Sequence, residues 1–444
     1  MMVVTQKSEM ENRNSERRDS GTGTRKRGMT GSDFRIGYHI IIPMLILFLG
    51  ACQTPTVETG LDRISEYRHL FKGKRVGIIT NHTAYNSENE HIVDVFGRLE
   101  RVTVTALFGP EHGIRGHEEA GKEIESGSDP IKDIPIYSLY GKTKKPTQEM
   151  LAKVDLLVFD IQDIGARFYT YIYTMALAME AAAEQNKPFV VLDRPNPITG
   201  AHVEGNILEP EFASFVGLYP IPVRHGMTVG ELARMFNEQG WLANGIKADL
   251  TVVQMKHWKR SSWYDETGLK FIKPSPNIPT VTTATVYPGA CLLEAINVSE
   301  GRGTQTPFEL FGAPWIDAKR FTQNLNALEL PGVIFRDTSF TPISIPGAST
   351  NPKYKNRACQ GGVITVTDRS KFKPFSMGIQ LVSLIHEMYP DSLQWRSSFF
   401  DKLSGTSRVR KTVMRNDDIN DLVEKWQPAL AEFMATRQKY LLYD

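Results

Sequence analysis

Short apolar runs alternate along the chain with longer stretches whose apolar residues recur at helical spacing. Arg75–Thr80 (RVGIIT), Val102–Phe108 (VTVTALF), Leu156–Asp160 (LLVFD), Phe189–Asp193 (FVVLD) and Leu250–Met255 (LTVVQM) read as strands. Between them His91–Leu99, Tyr169–Gln185 and a stretch from Thr228 to about Gln239 read as helices. Thr228 and Glu231 form a capping box at the start of the last of these. Uninterrupted apolar runs separated by helices predict a parallel sheet buried on both faces. After residue 283 the texture changes. Tyr287–Ala290 and Gly301–Gly303 are turn-rich, and Pro307, Pro314, Pro331, Pro342 and Pro346 interrupt the chain beyond them. Gly362–Thr367 then reads as a strand, Met377–Met388 as a helix, and Asp417–Arg437 as a long amphipathic C-terminal helix. The pattern predicts an α/β protein: a Rossmann-like, mostly parallel sheet domain over 61–283, then a smaller mixed α/β domain over 284–444.

The first sixty residues obey a different logic. Residues 1–28 are polar, with seven basic and four acidic side chains, and read as a disordered tail or as sequence ahead of the true start at Met29. Ile40–Leu49 (IIIPMLILFL) is too short to span a bilayer comfortably, and Leu49-Gly50-Ala51-Cys52 comes after it as a lipobox. Residues 29–52 therefore read as a lipoprotein signal peptide with Cys52 as the lipidated residue, and 53–60 as a linker. A plain signal peptide cut near Ala51, or an uncut signal anchor, is the alternative. Gln53 after the cysteine fits outer-membrane sorting in a Gram-negative cell, which would place the folded part in the periplasm as an envelope lipoprotein. Of the three cysteines only Cys291 and Cys359 would then remain, either as one disulfide or as two separate buried thiols.

Composition narrows the partners. Lys+Arg number 52 against Asp+Glu 50, a formal net charge of +2, and 41% of the 444 residues are hydrophobic. That balance excludes a disordered, collagen-like or multi-spanning chain and argues against nucleic acid as a partner.

In an open parallel sheet, ligands bind beyond the carboxyl ends of the strands, so the residues just after each strand are the ones to weigh. These are Asn81-His82-Thr83, then Gly109 to Gly116, then Gln162 to Arg167 with Tyr169, Tyr171 and Tyr173 behind them, then Arg194-Pro195-Asn196-Pro197. Glu111, in a glycine- and proline-framed turn, suits a general acid at a crevice rim or a carboxylate stapling the loop to Arg115. Asp160 and Asp163, three apart, suit a second catalytic carboxylate, or one caps the next helix and the other pairs with Arg167. The tyrosines either offer a sugar-stacking face or pack the helix start. Arg115, Arg167, Arg194 and Arg302 all sit in loops where a guanidinium can grip an anionic ligand. No metal is assigned: His82, His112, His117, Asp160 and Asp163 include no HExxH helix and no i, i+4 ligand pair. No cofactor is assigned either, since neither a GxGxxG nor a GxxxxGK[ST] phosphate loop occurs.

Six motifs in order resemble the bacterial exo-β-N-acetylmuramidase family: GPEHGIRG (109–116), FDIQDIGARFYTY (159–171), LDRPNPITG (192–200), PNIPT (276–280), YPG (287–289) and NVSEGRGTQTPF (297–308). The resemblance runs from about Leu61 to the C-terminus. It departs at Ala295 and Ile296, where the family pattern is Glu-Gly-Thr-Asn. The resemblance implies an active-site crevice between a Rossmann-like domain and a smaller one, and release of N-acetylmuramic acid from the non-reducing end of peptidoglycan fragments during wall turnover and recycling. On that basis Glu111 is expected to be the proton donor, with Asp160 or Asp163 as the second carboxylate. Asn81, His112, Arg115, Arg167, Tyr169, Tyr171, Arg194, Asn196, Asn277, Glu300 and Arg302 are the expected substrate-binding residues. The partners implied are muramic acid oligosaccharides and, through Cys52, a membrane. Two other readings use the same residues: a non-catalytic periplasmic lipoprotein that binds wall sugars, and an amidase or esterase. Against the latter, Ser126 and Ser299 lie in no G-x-S-x-G elbow.

Overall fold

The strands are those whose side chains can be buried on both faces. In the computed structural model, which describes residues 55–116, 118–119, 127–128 and 133–444, twelve strands form. They are β1 (Arg75–Thr80), β2 (Thr103–Gly109), β3 (Gly127–Ser128), β4 (Pro135–Ser138), β5 (Leu156–Asp160), β6 (Phe189–Leu192), β7 (Glu204–Ile207), β8 (Pro222–Arg224), β9 (Leu250–Val253), β10 (Leu310–Ala313), β11 (Val333–Phe340) and β12 (Cys359–Val366). Cys52 and the whole expected export segment lie outside the described residues, as do His117 and Ser126.

Seven strands make one sheet in the order β3-β4-β2-β1-β5-β6-β9, parallel apart from the short antiparallel β3 at the edge. Register aligns Ile78 with Val158, and Val158 with Val190, so that side chains of like parity share a face. Val76, Ile78, Leu156, Val158, Val190 and Leu192 enter one apolar cluster with Phe71 and Phe96. Ile79, Leu157, Phe159, Phe189 and Val191 enter the other, which runs without a break into the C-terminal half as far as Phe433 and Tyr440. That half carries the antiparallel sheet β10-β12-β11, and residues 55–444 pack as one compact unit.

Two expectations for the C-terminal half need correcting. Tyr287–Ala290 is not a turn but the end of the helix Val281–Ala290. The glycine serves helix packing, because a Cβ on Gly289 would lie 1.8 Å from the Pro374 carbonyl oxygen of the crossing helix Pro374–Met388. The long C-terminal helix is two: Ile419–Glu424 and Gln427–Arg437. Pro428 stands in the first turn of the second, where its missing N–H is harmless, but its ring would clash with the carbonyl of Glu424 in a continuous helix. The capping box at Thr228 and Glu231 forms as expected and opens Val229–Glu238.

Buried polar groups tie the end of the chain back to the parallel sheet. The Asp193 carboxylate, just after β6, accepts hydrogen bonds from the Tyr443 hydroxyl (2.6 Å), the Thr228 hydroxyl (2.7 Å) and the amides of Gly230 (2.8 Å) and Arg194 (3.0 Å). Burial pushes this carboxyl up to about 7, against the pull of those donors. A folded-state value above the ordinary one of about 4 favours folding with the acid protonated; that contribution is full below about pH 4 and is lost as pH rises through 7. Tyr443→Phe deletes a donor that matters most to the ionised form. It should destabilise the protein by about 1.5–3 kcal/mol at pH 8 and by clearly less at pH 5, read from urea unfolding at the two pH values. An equal loss at both would mean that the tyrosine acts through packing and the bond its oxygen accepts from the Met255 amide (2.9 Å), not through Asp193.

Candidate functional site

The strand order reverses between β1 and β5, and a crevice beyond their carboxyl ends is the expected ligand position. Here most of the polar groups pair with one another, and a small hollow of about 200 Å³ remains beside Thr83, Tyr85 and Arg194. Asp160, at the end of β5, is fully buried and holds the Arg194 guanidinium through both Nε and Nη2, the latter at 3.0 Å. Burial works against charge on Arg194, but the Asp160 carboxylate keeps its proton bound more tightly than usual. Asn81 is folded into its own turn, its Oδ1 accepting from the amide (2.9 Å) and hydroxyl (2.6 Å) of Thr83. Asn196 donates to the Met227 carbonyl and accepts from the Ile198 amide.

The main cavity, of about 780 Å³, lies to one side, beyond β2 and β4, and is closed by the C-terminal half. Three segments of the N-terminal half and three of the C-terminal half set its chemistry. The turn after β2 brings Glu111 and His112. His112 adopts φ +70°, and a Cβ on Gly116 would fall 1.9 Å from the His82 ring, so this turn requires its glycine there. Tyr140 lies just past β4, and Tyr169 and Thr170 precede the helix Tyr171–Glu184. From the C-terminal half come Glu294, Glu300, Arg302, Lys353 and Arg396.

Hydroxyl groups surround the Glu111 carboxylate. The Thr170 hydroxyl donates to its Oε2 at 3.0 Å, and the Tyr140 phenol, beside it, is pushed upward by burial and by the Glu111 charge. His112 is buried, with Nδ1 2.7 Å from the Glu118 carbonyl oxygen, and burial lowers its pKa so that the ring stays neutral near pH 7. The Tyr169 hydroxyl lies near Ser275 and Tyr171, and burial, with the Glu111 and Asp163 charges, pushes it well above its ordinary value. Of the other acids of the wall, Glu119 accepts from the Thr350 amide (2.7 Å) and hydroxyl (2.6 Å), and Glu294 and Glu300 are matched with cations. Arg302 meets Glu294 at 2.6 Å and Glu300 at 3.4 Å, and Lys353 meets Glu300 at 3.0 Å. Burial alone would raise Glu300, but Lys353 and Arg302 outweigh it and hold the carboxyl below its ordinary value. A carboxyl group on the wall of such a hollow is placed to exchange a proton with a bound ligand.

Five of the residues singled out in the sequence therefore meet at one cavity: Glu111, His112, Tyr169, Glu300 and Arg302. The rest do not line it, each for a physical reason. Asp160 and Arg194 neutralise each other. Asp163 is buried, accepting from the Gly165 amide at 2.7 Å with His225 Nε2 at 3.7 Å. Arg167 is wholly buried, and its guanidinium donates to the carbonyls of Asn206, Ile221, Leu403 and Ser404, clasping the two halves of the chain. Tyr171 donates to the Pro274 carbonyl and Asn277 to that of Ala348, while Arg115 is exposed on its turn. Asn81 and Asn196 are committed to their turns. Cys291 and Cys359 are separate buried thiols, Cys291 at the cavity wall.

Local sequence did not single out Tyr140, Thr170, Glu294, Lys353, Lys144 or Arg396. Tyr140 comes after a four-residue strand too short to stand out, although Thr170 lies within the FDIQDIGARFYTY motif.

A Rossmann-like sheet with an antiparallel companion and a carboxyl-lined hollow between them defines a family of known composition. The chain belongs to the exo-β-N-acetylmuramidase NamZ family: the family's N-terminal part matches residues 76–282 and its C-terminal part 285–443. It is 51% identical over 393 residues to the peptidoglycan β-N-acetylmuramidase NamZ of Bacillus subtilis, covering 88% of this chain and 92% of that protein. Among solved structures, two DUF1343 family proteins of Bacteroides fragilis superpose with TM-scores of 0.81 and 0.72, at 39% and 33% identity. Each comparison covers 88% of this chain and 99% of the other.

Proposed function

We propose that this protein is an exo-acting glycoside hydrolase that releases N-acetylmuramic acid from the non-reducing end of peptidoglycan fragments, and that Glu111 is its proton donor. The observation that carries the reading is Glu111 on the wall of a cavity of about 780 Å³, within the few hundred to a thousand Å³ typical of small-molecule sites, with the Thr170 hydroxyl on its Oε2. Its proton passes to the glycosidic oxygen as the bond from that oxygen to the anomeric carbon breaks; the oxygen of a water then bonds to the anomeric carbon, and the proton that this water sheds passes to solvent, from which Glu111 is protonated again. Neutral His112 and Tyr169, beside Glu111, position the sugar through polar contacts. The family membership and the 51% identity to a protein named for this activity support the same reading. For the cell we propose a role in wall turnover at the envelope, tethered through lipid on Cys52; the lipobox sequence supports this.

Incubation with a disaccharide of N-acetylmuramic acid linked to N-acetylglucosamine should release both free sugars, read by mass spectrometry. Binding of the disaccharide without cleavage would favour a sugar-holding lipoprotein instead.

A further inference from the structure

N-acetylmuramic acid differs from N-acetylglucosamine by a lactyl ether that ends in a carboxylate, so a site that selects it needs a cation to spare. Arg115 does not line the cavity, and the other arginines of the sequence motifs have none. Arg194 is spent on Asp160 and Arg167 on four backbone carbonyls. Arg302 is shared between Glu294 and Glu300. Lys353 is ion-paired with Glu300 and donates to the carbonyls of Leu293 (2.6 Å) and Val298 (3.0 Å). Together Arg302, Lys353, Glu294 and Glu300 carry no net charge.

Two cations of the wall have no carboxylate partner among the described residues. The Arg396 guanidinium lies 4.8 Å from the Phe399 ring centroid, and its hydrogen bond there is a long one, 3.4 Å, from Nη1 to the Glu294 carbonyl oxygen. The Lys144 ammonium lies 4.7 Å from the Phe215 centroid. Lys145, the next residue, pairs with Glu180 and Glu184. Of the two, Arg396 is the better placed. The Arg396 amide donates to the Ala295 carbonyl at 2.8 Å, Trp395 bridges to Ile296, and the Asn297 side chain accepts from the Gln394 amide. The segment that carries Arg396 is thus zipped to the one that carries Glu294. On its other side, the Arg396 carbonyl accepts from Phe399 and Phe400 in the first turn of the helix Ser397–Ser404. A planar fork stacked on an aromatic ring, on a backbone fixed at both ends, presents two parallel donors to a carboxylate with little motion left to lose.

Resting on the hydrolase reading, we propose that Arg396 is the specificity residue that grips the lactyl carboxylate of the bound sugar, with Lys144 adding positive potential from the other half of the chain.

The test is binding of two small ligands, N-acetylmuramic acid and its lactyl methyl ester, measured by titration calorimetry on the full chain. The wild type should bind the acid more tightly than the ester. Arg396→Gln should weaken the acid on the order of 10- to 100-fold and the ester little, bringing the two together. Arg396→Lys should regain part of the difference, because it restores the charge without the fork. Arg396 is exposed, so neither variant disturbs the core. A wild type that binds the acid no better than the ester, or a glutamine variant that weakens both alike, overturns the assignment. Failure of the hydrolase reading shows separately, as binding of N-acetylmuramic acid without cleavage of the disaccharide.

Discussion

Glu111→Gln is expected to lower kcat on the disaccharide of N-acetylmuramic acid linked to N-acetylglucosamine by about a thousandfold, within the range for loss of a general acid. The amide can still accept from the Thr170 hydroxyl, so the turn after β2 keeps its shape and the thermal midpoint should change little. The loss depends on the leaving group. The phenolate of a chromogenic N-acetylmuramic acid glycoside departs with little protonation and should soften the defect, whereas the natural disaccharide needs the proton fully and should show the larger loss. Comparing the two substrates therefore separates proton donation from simple disruption of binding, which would depress both alike. Full turnover by the glutamine variant would remove Glu111 from the chemistry.

Asp160→Ala should produce a large effect of another kind. Deleting the carboxylate leaves the Arg194 guanidinium, itself 4% exposed, buried without its counter-ion. Breaking a buried pair from one side costs about 3–5 kcal/mol, which urea unfolding would read as a lowered midpoint at unchanged slope. Turnover per folded molecule should stay near that of the wild type, because neither side chain lines the cavity. Replacing both partners by apolar residues, Asp160→Leu with Arg194→Met, should recover much of the loss, since no charge is then stranded. If Asp160→Ala instead loses activity while keeping its stability, the carboxylate belongs to the catalytic apparatus after all.

These two carboxylates look alike along the chain: each stands where a strand gives way to a polar loop. What the fold adds is the distant group that packing brings to each of them. Arg194 lies 34 residues from Asp160 and meets it only because β5 and β6 are neighbours in the sheet. Glu111 meets Thr170 across 59 residues, and there the partner is a hydroxyl. The same applies to the arginines. Glycine-rich surroundings mark Arg167 as a ligand-gripping residue, yet its donors close on Leu403 and Ser404, 236 and 237 residues away. Arg396 stands in no such loop, and nothing in its local sequence marks it as facing the hollow.

Local periodicity was enough for the parallel layer. Alternation in β1, β5 and β6 names which side chains enter which core, and the Thr228–Glu231 cap starts its helix where the side chains allow it. Such features depend on residues within a few positions of one another, and the chain order already holds them. It was enough as well for the family motifs. Only the folded chain decides which polar groups are consumed in holding the structure and which are left for a ligand. A buried charge takes whatever counter-charge packing brings within reach, and that partner comes from a distant segment that no local pattern identifies.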